Sequence, residues 1–300
     1  MRWSIFERYI RTGQLTVIAA NGEQRTFGCG EPHATIEFTS ADCLSRLLRN
    51  PQLNLEETYM QGGWSPALDS DLYAVLLVLR LNFEQSLAPG VISWPLRSAA
   101  SFMRSWNSLT ASRRNVSHHY DLDEALFRAC LDTDLHYSCA YFTGLSEPLE
   151  AAQKAKCEHI ARKLCLRPGQ KVLDIGCGWG GLARALIRCR EGVSVTGITL
   201  SEQQLVHAEQ HQIDGDKAGR LAFALRDYRR QTGQFDRIVS VGMLEHVGPS
   251  NIPTYFSTVR RLLAPGGVAV IQSIAVHNRS GPVIRWMGRY IFPGGYLPSV

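Results

Sequence analysis

The residues able to do chemistry in this 300-residue chain gather at the ends of short apolar runs. Lys171 to Gly181 reads K-V-L-D-I-G-C-G-W-G-G. Val172, Leu173 and Ile175 have the character of a buried parallel strand, and Asp174 stands near its end. Gly176, Gly178 and Gly180 follow, and L-A-R-A-L-I then opens a helical pattern. Strand, tight glycine turn and helix bring backbone close to a ligand and offer it free N–H groups, which is the first half of a nucleotide-binding unit. Gly176, Gly178 and Gly181 also satisfy the dinucleotide spacing Gly-x-Gly-x-x-Gly. That reading calls for an acidic residue after the next strand, to hold a ribose. V-S-V-T-G-I is instead followed by Thr199, Leu200 and Ser201, which disfavours a nicotinamide or flavin enzyme.

Three further clusters share this character. His136 to Phe142 reads H-Y-S-C-A-Y-F and is a candidate cap over a cofactor, with plain core aromatics and an inert buried thiol as the alternative. Arg226-Asp227-Tyr228 and Gly242-Met243-Leu244-Glu245-His246 each follow an apolar run.

The elements that must position these groups follow from periodicity. Residues 146–164 read as a helix leading into a first strand. Strands are expected at 192–198, 222–225 and 235–241, and at V-A-V-I-Q after Pro265-Gly266-Gly267, with helices at 202–211 and 255–263. This alternation is an α/β, doubly wound parallel sheet, whose ligands bind beyond the carboxyl ends of the strands. Ahead of it, residues 1–85 read as a small α+β domain. Its strands are expected at 15–18 and 34–38, with a hairpin turn at Asn21-Gly22, and its helices at 42–48, 56–64 and 72–81. Residues 86–117 read as a basic and aromatic linker. A short amphipathic helix at 99–106 would suit either a bilayer interface or docking between domains.

Composition bounds the function classes. Hydrophobic residues make up 45% and charged residues 20%, as in globular proteins, and the net charge of +5 suits an anionic surface such as phospholipid. No dense basic tract points to nucleic acid. The eight cysteines form no Cys-x-x-Cys pair or spaced metal cluster, so free thiols in a reducing cytosol and no metal are expected. The N-terminus lacks a signal peptide's apolar core, and no apolar run is long enough to span a bilayer.

An aspartate directly before Ile-Gly-x-Gly resembles the opening motif of class I S-adenosylmethionine (SAM) methyltransferases. Taken with H-Y-D-L at 119–122, Y-S-C-A-Y-F at 137–142, G-I-T-L-S-E-Q-Q at 197–204, F-D-R-I-V-S-V-G-M-L-E-H-V-G at 235–248 and Y-I-F-P-G-G-Y-L-P-S at 290–299, it resembles the cyclopropane-fatty-acyl-phospholipid synthase family, mycolic-acid relatives included. The resemblance covers most of 118–300. Y-M-Q-G-G-W carries it more loosely into the N-terminal domain, whose presence is similar to the bacterial phospholipid-acting branch.

The resemblance implies a class I SAM-methyltransferase (Rossmann-like) domain at 118–300, capped by 118–165, beside an N-terminal lipid-handling domain. It implies transfer of the SAM methyl to a cis double bond of a phospholipid acyl chain, then ring closure through a carbocation with bound bicarbonate as base. Cys139, Glu245 and Ile274 match residues around that bicarbonate. Gln272 stands where the family commonly has histidine, which brings methyl- or methylene-bearing products into view. Tyr137, Ser138, Asp174, Gly176 and Gly178 are implied at the amino-acid end of SAM, Thr199, Leu200 and Gln204 at the ribose, and Asp227 and Tyr228 at the adenine. His119 is implied at the acyl entrance. Two closing strands of the sheet and a further site tyrosine are expected beyond Val300, so that the chain reads as C-terminally incomplete. Unsaturated phospholipid acyl chains at the inner face of a membrane, bound peripherally from the cytoplasm, are the implied partners, with a homodimer as an option. The alternatives are a SAM methyltransferase on acyl chains or on a small-molecule amine, and a truncated inactive lipid- or SAM-binding homologue.

Overall fold

The computed structural model describes residues 3–49, 51–67, 70–83, 124–211, 220–277, 280–283 and 285–299. The linker 86–117, its expected helix and the H-Y-D-L motif with His119 lie outside them. The chain divides into two compact units, one N-terminal and one built around the later α/β repeat.

In the first unit, helix α1 (Ser4–Tyr9) precedes strands β1 (Gly13–Ile18), β2 (Gln24–Cys29) and β3 (His33–Phe38). Helices α2 (Ala41–Arg49) and α3 (Pro51–Met60), strand β4 (Trp64–Pro66) and helix α4 (Leu72–Phe83) follow. The sheet order is β2-β1-β3-β4, with β1 parallel to β3 and the outer pairs antiparallel. Leu15, Val17, Ile36 and Phe38 alternate inward as period-two strands must, and Trp3, Phe27, Trp64, Val75 and Val78 complete their core. The helix expected within 56–64, running into a Gly-Gly stop, is present and starts earlier, at Pro51. It ends at Met60, because Gly62 turns with φ of 69° and Gly63 lies against the Cys43 side chain, leaving Trp64 free to enter the sheet opposite Phe38.

The second unit opens with helix α5 (Glu124–Cys130) and the long helix α6 (Leu149–Leu164). The repeat then runs β5 (Lys171–Ile175), α7 (Gly181–Cys189), β6 (Ser194–Thr199), α8 (Glu202–Gln210), β7 (Leu221–Leu225), β8 (Phe235–Val241), α9 (Ile252–Leu262) and β9 (Leu263–Gln272). A short pair, β10 (Gly281–Pro282) with β11 (Tyr296–Leu297), flanks helix α10 (Arg285–Tyr290). The sheet order is β7-β6-β5-β8-β9, parallel throughout. The order reverses at β5, so the crevice beyond Ile175 is the topological switch point where such sheets take ligands. Val172, Val195 and Val239 pack one face of the sheet against α6 and α7, while Leu173, Ile175, Ile198 and Ile238 pack the other against α9. Five strands form this sheet among the described residues, and β7 and β9 are its edges.

Candidate active site

A cavity opens over the carboxyl ends of β5 to β8, and every residue implied at SAM lines it: Tyr137, Ser138, Asp174, Gly176, Gly178, Thr199, Leu200, Gln204, Asp227 and Tyr228. The glycine turn shapes its floor. Gly176, Gly178 and Gly180 have φ of 79°, 54° and 85°, and the Gly176 and Cys177 N–H groups both donate to the Ile198 carbonyl. At Gly178 a Cβ would find only Gln204 Nε2, 4.0 Å away, so the missing side chain leaves open space in front of the loop. Gly181 differs, because a Cβ there would lie 2.7 Å from the Asp134 carbonyl oxygen, and the loop before α6 needs that room.

Among the side-chain atoms of lining residues that are buried with no hydrogen-bond partner among the described residues are Asp174 Oδ2 and Gln204 Nε2. Burial pushes the Asp174 carboxyl up to about 7, only partly offset by the Lys156 ammonium. Gln204 is held by its other end: Thr199 Oγ1 donates to its Oε1 at 2.7 Å, and its backbone N–H donates to Ser201 Oγ at 3.2 Å. One free acceptor and one free donor, beside a loop kept open by glycine, fit a ligand with an ammonium and with hydroxyl or carboxyl oxygens. The amino-acid and ribose ends of SAM have these groups.

At the opposite wall, Asp227 caps the short turn at 228–230 and its carboxylate takes Arg229 Nε at 2.8 Å and a terminal guanidinium nitrogen at 2.6 Å. That carboxylate is thus bound within its own turn. Tyr228 is 5% exposed, edge-on to Tyr255, with its hydroxyl unpartnered. It serves the core as well as the cavity wall.

Tyr137 sits edge-on to Phe127 and stacks on Phe292 at 6.4 Å, so the Y-I-F-P-G-G motif closes over the cap segment. Phe292 also lies edge-on to His246, which lines the cavity and whose imidazole burial pushes down to about 4. It is therefore neutral at ordinary pH.

Cys139, Glu245, Gln272 and Ile274 lie outside the cavity lining, though Cys139 follows the lining Ser138 and Glu245 precedes the lining His246. Glu245 is buried, and the Ile274 N–H donates to its Oε1 at 2.5 Å. Its Oε2 and the Gln272 Oε1 are buried and unpartnered among the described residues. The Gln272 carbonyl accepts from the Gly242 N–H, and Gly242 lies against Ser138. Glu245, Ile274 and Gln272 thus converge where β8 and β9 end. Cys139 is exposed on the adjoining cap loop, with its thiol free like those of the other seven cysteines.

Gln153 and Lys156 carry no spacing signal in the sequence. Gln153 Nε2 donates to the His136 and Ser138 carbonyls, and Lys156 Nζ donates to Ser138 Oγ at 2.9 Å, so one face of α6 holds the cap loop in place. His136 is buried and bonds Asp132 through Nδ1 at 2.7 Å. Trp179, 2% exposed, anchors the glycine loop between Phe127 and His207.

The sequence pattern described as Mycolic acid cyclopropane synthetase matches residues 107–300. The cyclopropane-fatty-acyl-phospholipid synthase of Escherichia coli (strain K12) is 41% identical over 272 residues, which is 90% of this chain and 69% of that protein. This chain belongs to the mycolic acid cyclopropane synthetase family. Another similar protein, the tuberculostearic acid methyltransferase UfaA1 of Mycobacterium tuberculosis, is 37% identical across 91% of this chain and 66% of its own length. The chain thus spans about two thirds of these relatives. Among solved structures, the mycolic acid cyclopropane synthase CmaA1 complexed with SAH and CTAB superposes with a TM-score of 0.57 at 34% identity, over 62% of this chain and 70% of that one. The cyclopropane synthetase family membership and the fold make the chain a class I, SAM-dependent methyltransferase.

Proposed function

We propose that this chain is a cyclopropane-fatty-acyl-phospholipid synthase. It transfers the SAM methyl group to a cis double bond of an unsaturated phospholipid acyl chain, and loss of a proton from the added methyl closes the ring. The observation that carries this reading is the setting of Glu245. An alkene has no proton to give up before it attacks, so the site needs fixed negative charge for the cation that follows, and then a proton acceptor. Glu245 is a buried carboxylate held at one oxygen by Ile274 and open at the other, two residues after the cavity-lining Met243.

Bicarbonate would supply the base, and Cys139, Glu245, Gln272 and Ile274 are the residues to hold it. The free Glu245 Oε2 suits its O–H, while the Ile274 N–H would have to exchange Glu245 for the anion. Gln272 gives a neutral amide where the family resemblance implies histidine, and this favours a second reading in which the product keeps a methyl or methylene branch.

We assign residues 1–85 to lipid handling, 86–117 to a linker and 118–300 to methyl transfer, with the lipid approached at a membrane surface. Among the described residues no helix is long and apolar enough to cross a membrane. Lipid extracts from cells expressing the chain test the proposal. Unsaturated acyl chains are expected to gain one CH2 and lose their double bond. Unchanged lipids together with methylation of small amines would overturn it.

A further inference from the structure

The cavity is lined by two buried ionisable groups of opposite type, Lys156 and Asp174, with no hydrogen bond or ion pair between them. Lys156 is 7% exposed and Asp174 is 1% exposed, and both line the cavity. Among the described residues Lys156 donates to Ser138 Oγ, and Asp174 Oδ2 is without a partner. Each lowers the other's cost only through space. Burying two charges without direct pairing is expensive, and such an arrangement persists where a ligand completes it. The ligand that completes it carries an ammonium for the aspartate and an anion for the lysine, a short distance apart. That is the zwitterionic end of an α-amino acid.

Resting on the SAM reading of this pocket, we infer that Lys156 is the charge that recognises the carboxylate of the cofactor's amino-acid end. It acts with the Ser138 hydroxyl it already holds, opposite Asp174 at the ammonium. The sequence resemblance put Tyr137 and Ser138 at that carboxylate and left it without a positive partner. The helix supplies one. Gln153, one turn earlier on α6, fixes the Ser138 carbonyl, so the same helical face positions the loop and provides the charge. A charge-assisted hydrogen bond in a dry site is worth about tenfold or more in affinity, well above a surface pair.

The test compares SAM with decarboxylated SAM, which keeps the sulfonium, the adenosine and the amine, by titration calorimetry on the full chain. The wild type is expected to bind SAM at least about tenfold more tightly than the decarboxylated probe. Lys156→Met is expected to lose about tenfold for SAM and almost nothing for the probe, so that the preference collapses, and Lys156→Arg is expected to recover part of it. A purely structural lysine would weaken both ligands equally. Equal losses in Lys156→Met, or a preference that survives the substitution, overturns the inference while leaving SAM binding intact. Should Lys156→Met not fold, the wild type alone decides, since equal affinity for the two ligands leaves no carboxylate recognition to assign. Failure of the wild type to bind either ligand would instead bring down the SAM reading.

Discussion

At the scale of single residues, Asp174 combines cost and use. Burial holds its carboxyl near 7, so between the ordinary carboxylate range and about 7 the folded protein keeps a proton that the unfolded chain has released. Stability of the ligand-free protein therefore falls as pH rises through that window. Asp174→Asn is expected to remove this slope and raise the melting temperature at neutral pH, while weakening SAM at least about tenfold. Melts between about pH 6.5 and about pH 8 check it, a range above the window in which His246 gives the opposite slope, since its neutral imidazole costs stability as pH falls below about 6.5. Glu245→Gln keeps the shape and the Ile274 contact but removes the charge. It is expected to cut turnover about a hundredfold with SAM affinity unchanged, read by pairing steady-state kinetics with calorimetry. Asp174, Gly178, Thr199 and Gln204 were legible in the sequence because they end strands or open helices, where α/β proteins bind ligands. Lys156 was not, since one lysine in Q-K-A-K-C reads as any solvated helix face until packing shows that it points inward.

At the scale of elements, α6 and the glycine turn act as a clamp around the cap loop. The loop's Asp134 carbonyl and His136 ring rest on the start of α7, and only glycine at 181 leaves them space. Gly181→Ala places a methyl against backbone oxygen, which cannot swing away. It is expected to destabilise the chain by about 1–3 kcal/mol and to weaken SAM through displacement of Ser138, as denaturant titration and calorimetry would show. The α/β repeat was read close to its boundaries except at β9, because buried parallel strands are continuous apolar runs between glycine turns; β9 begins at Leu263, ahead of the turn expected at Pro265-Gly266-Gly267. The N-terminal unit was read less well. β2, Q-R-T-F-G-C, buries only Phe27 and carries no alternating signal, and β4 is a three-residue edge too short to show one.

At the scale of the molecule, the second unit presents a cavity lined by Lys156 and Asp174, with Glu245 accepting from the Ile274 N–H where β8 and β9 finish. The formal net charge of +5 would draw such a molecule to anionic phospholipid. Vesicle cosedimentation is expected to decline as salt rises toward about 1 M, where the screening length shrinks to about 3 Å. The sheet order was legible from the repeat, whereas the closing of Phe292 over Tyr137 and His246 was not, since it joins segments far apart in sequence through aromatic contact alone.

The central claim, methyl transfer to an alkene followed by ring closure, is tested most directly with SAM carrying a trideuterated methyl group and vesicles of cis-unsaturated phospholipid. Mass spectrometry of the released acyl chains should show a product that has gained the labelled carbon, lost one of its deuterium atoms and retained no double bond. A product keeping the whole trideuterated methyl group, or unaltered acyl chains beside a chain that binds SAM, would contradict it.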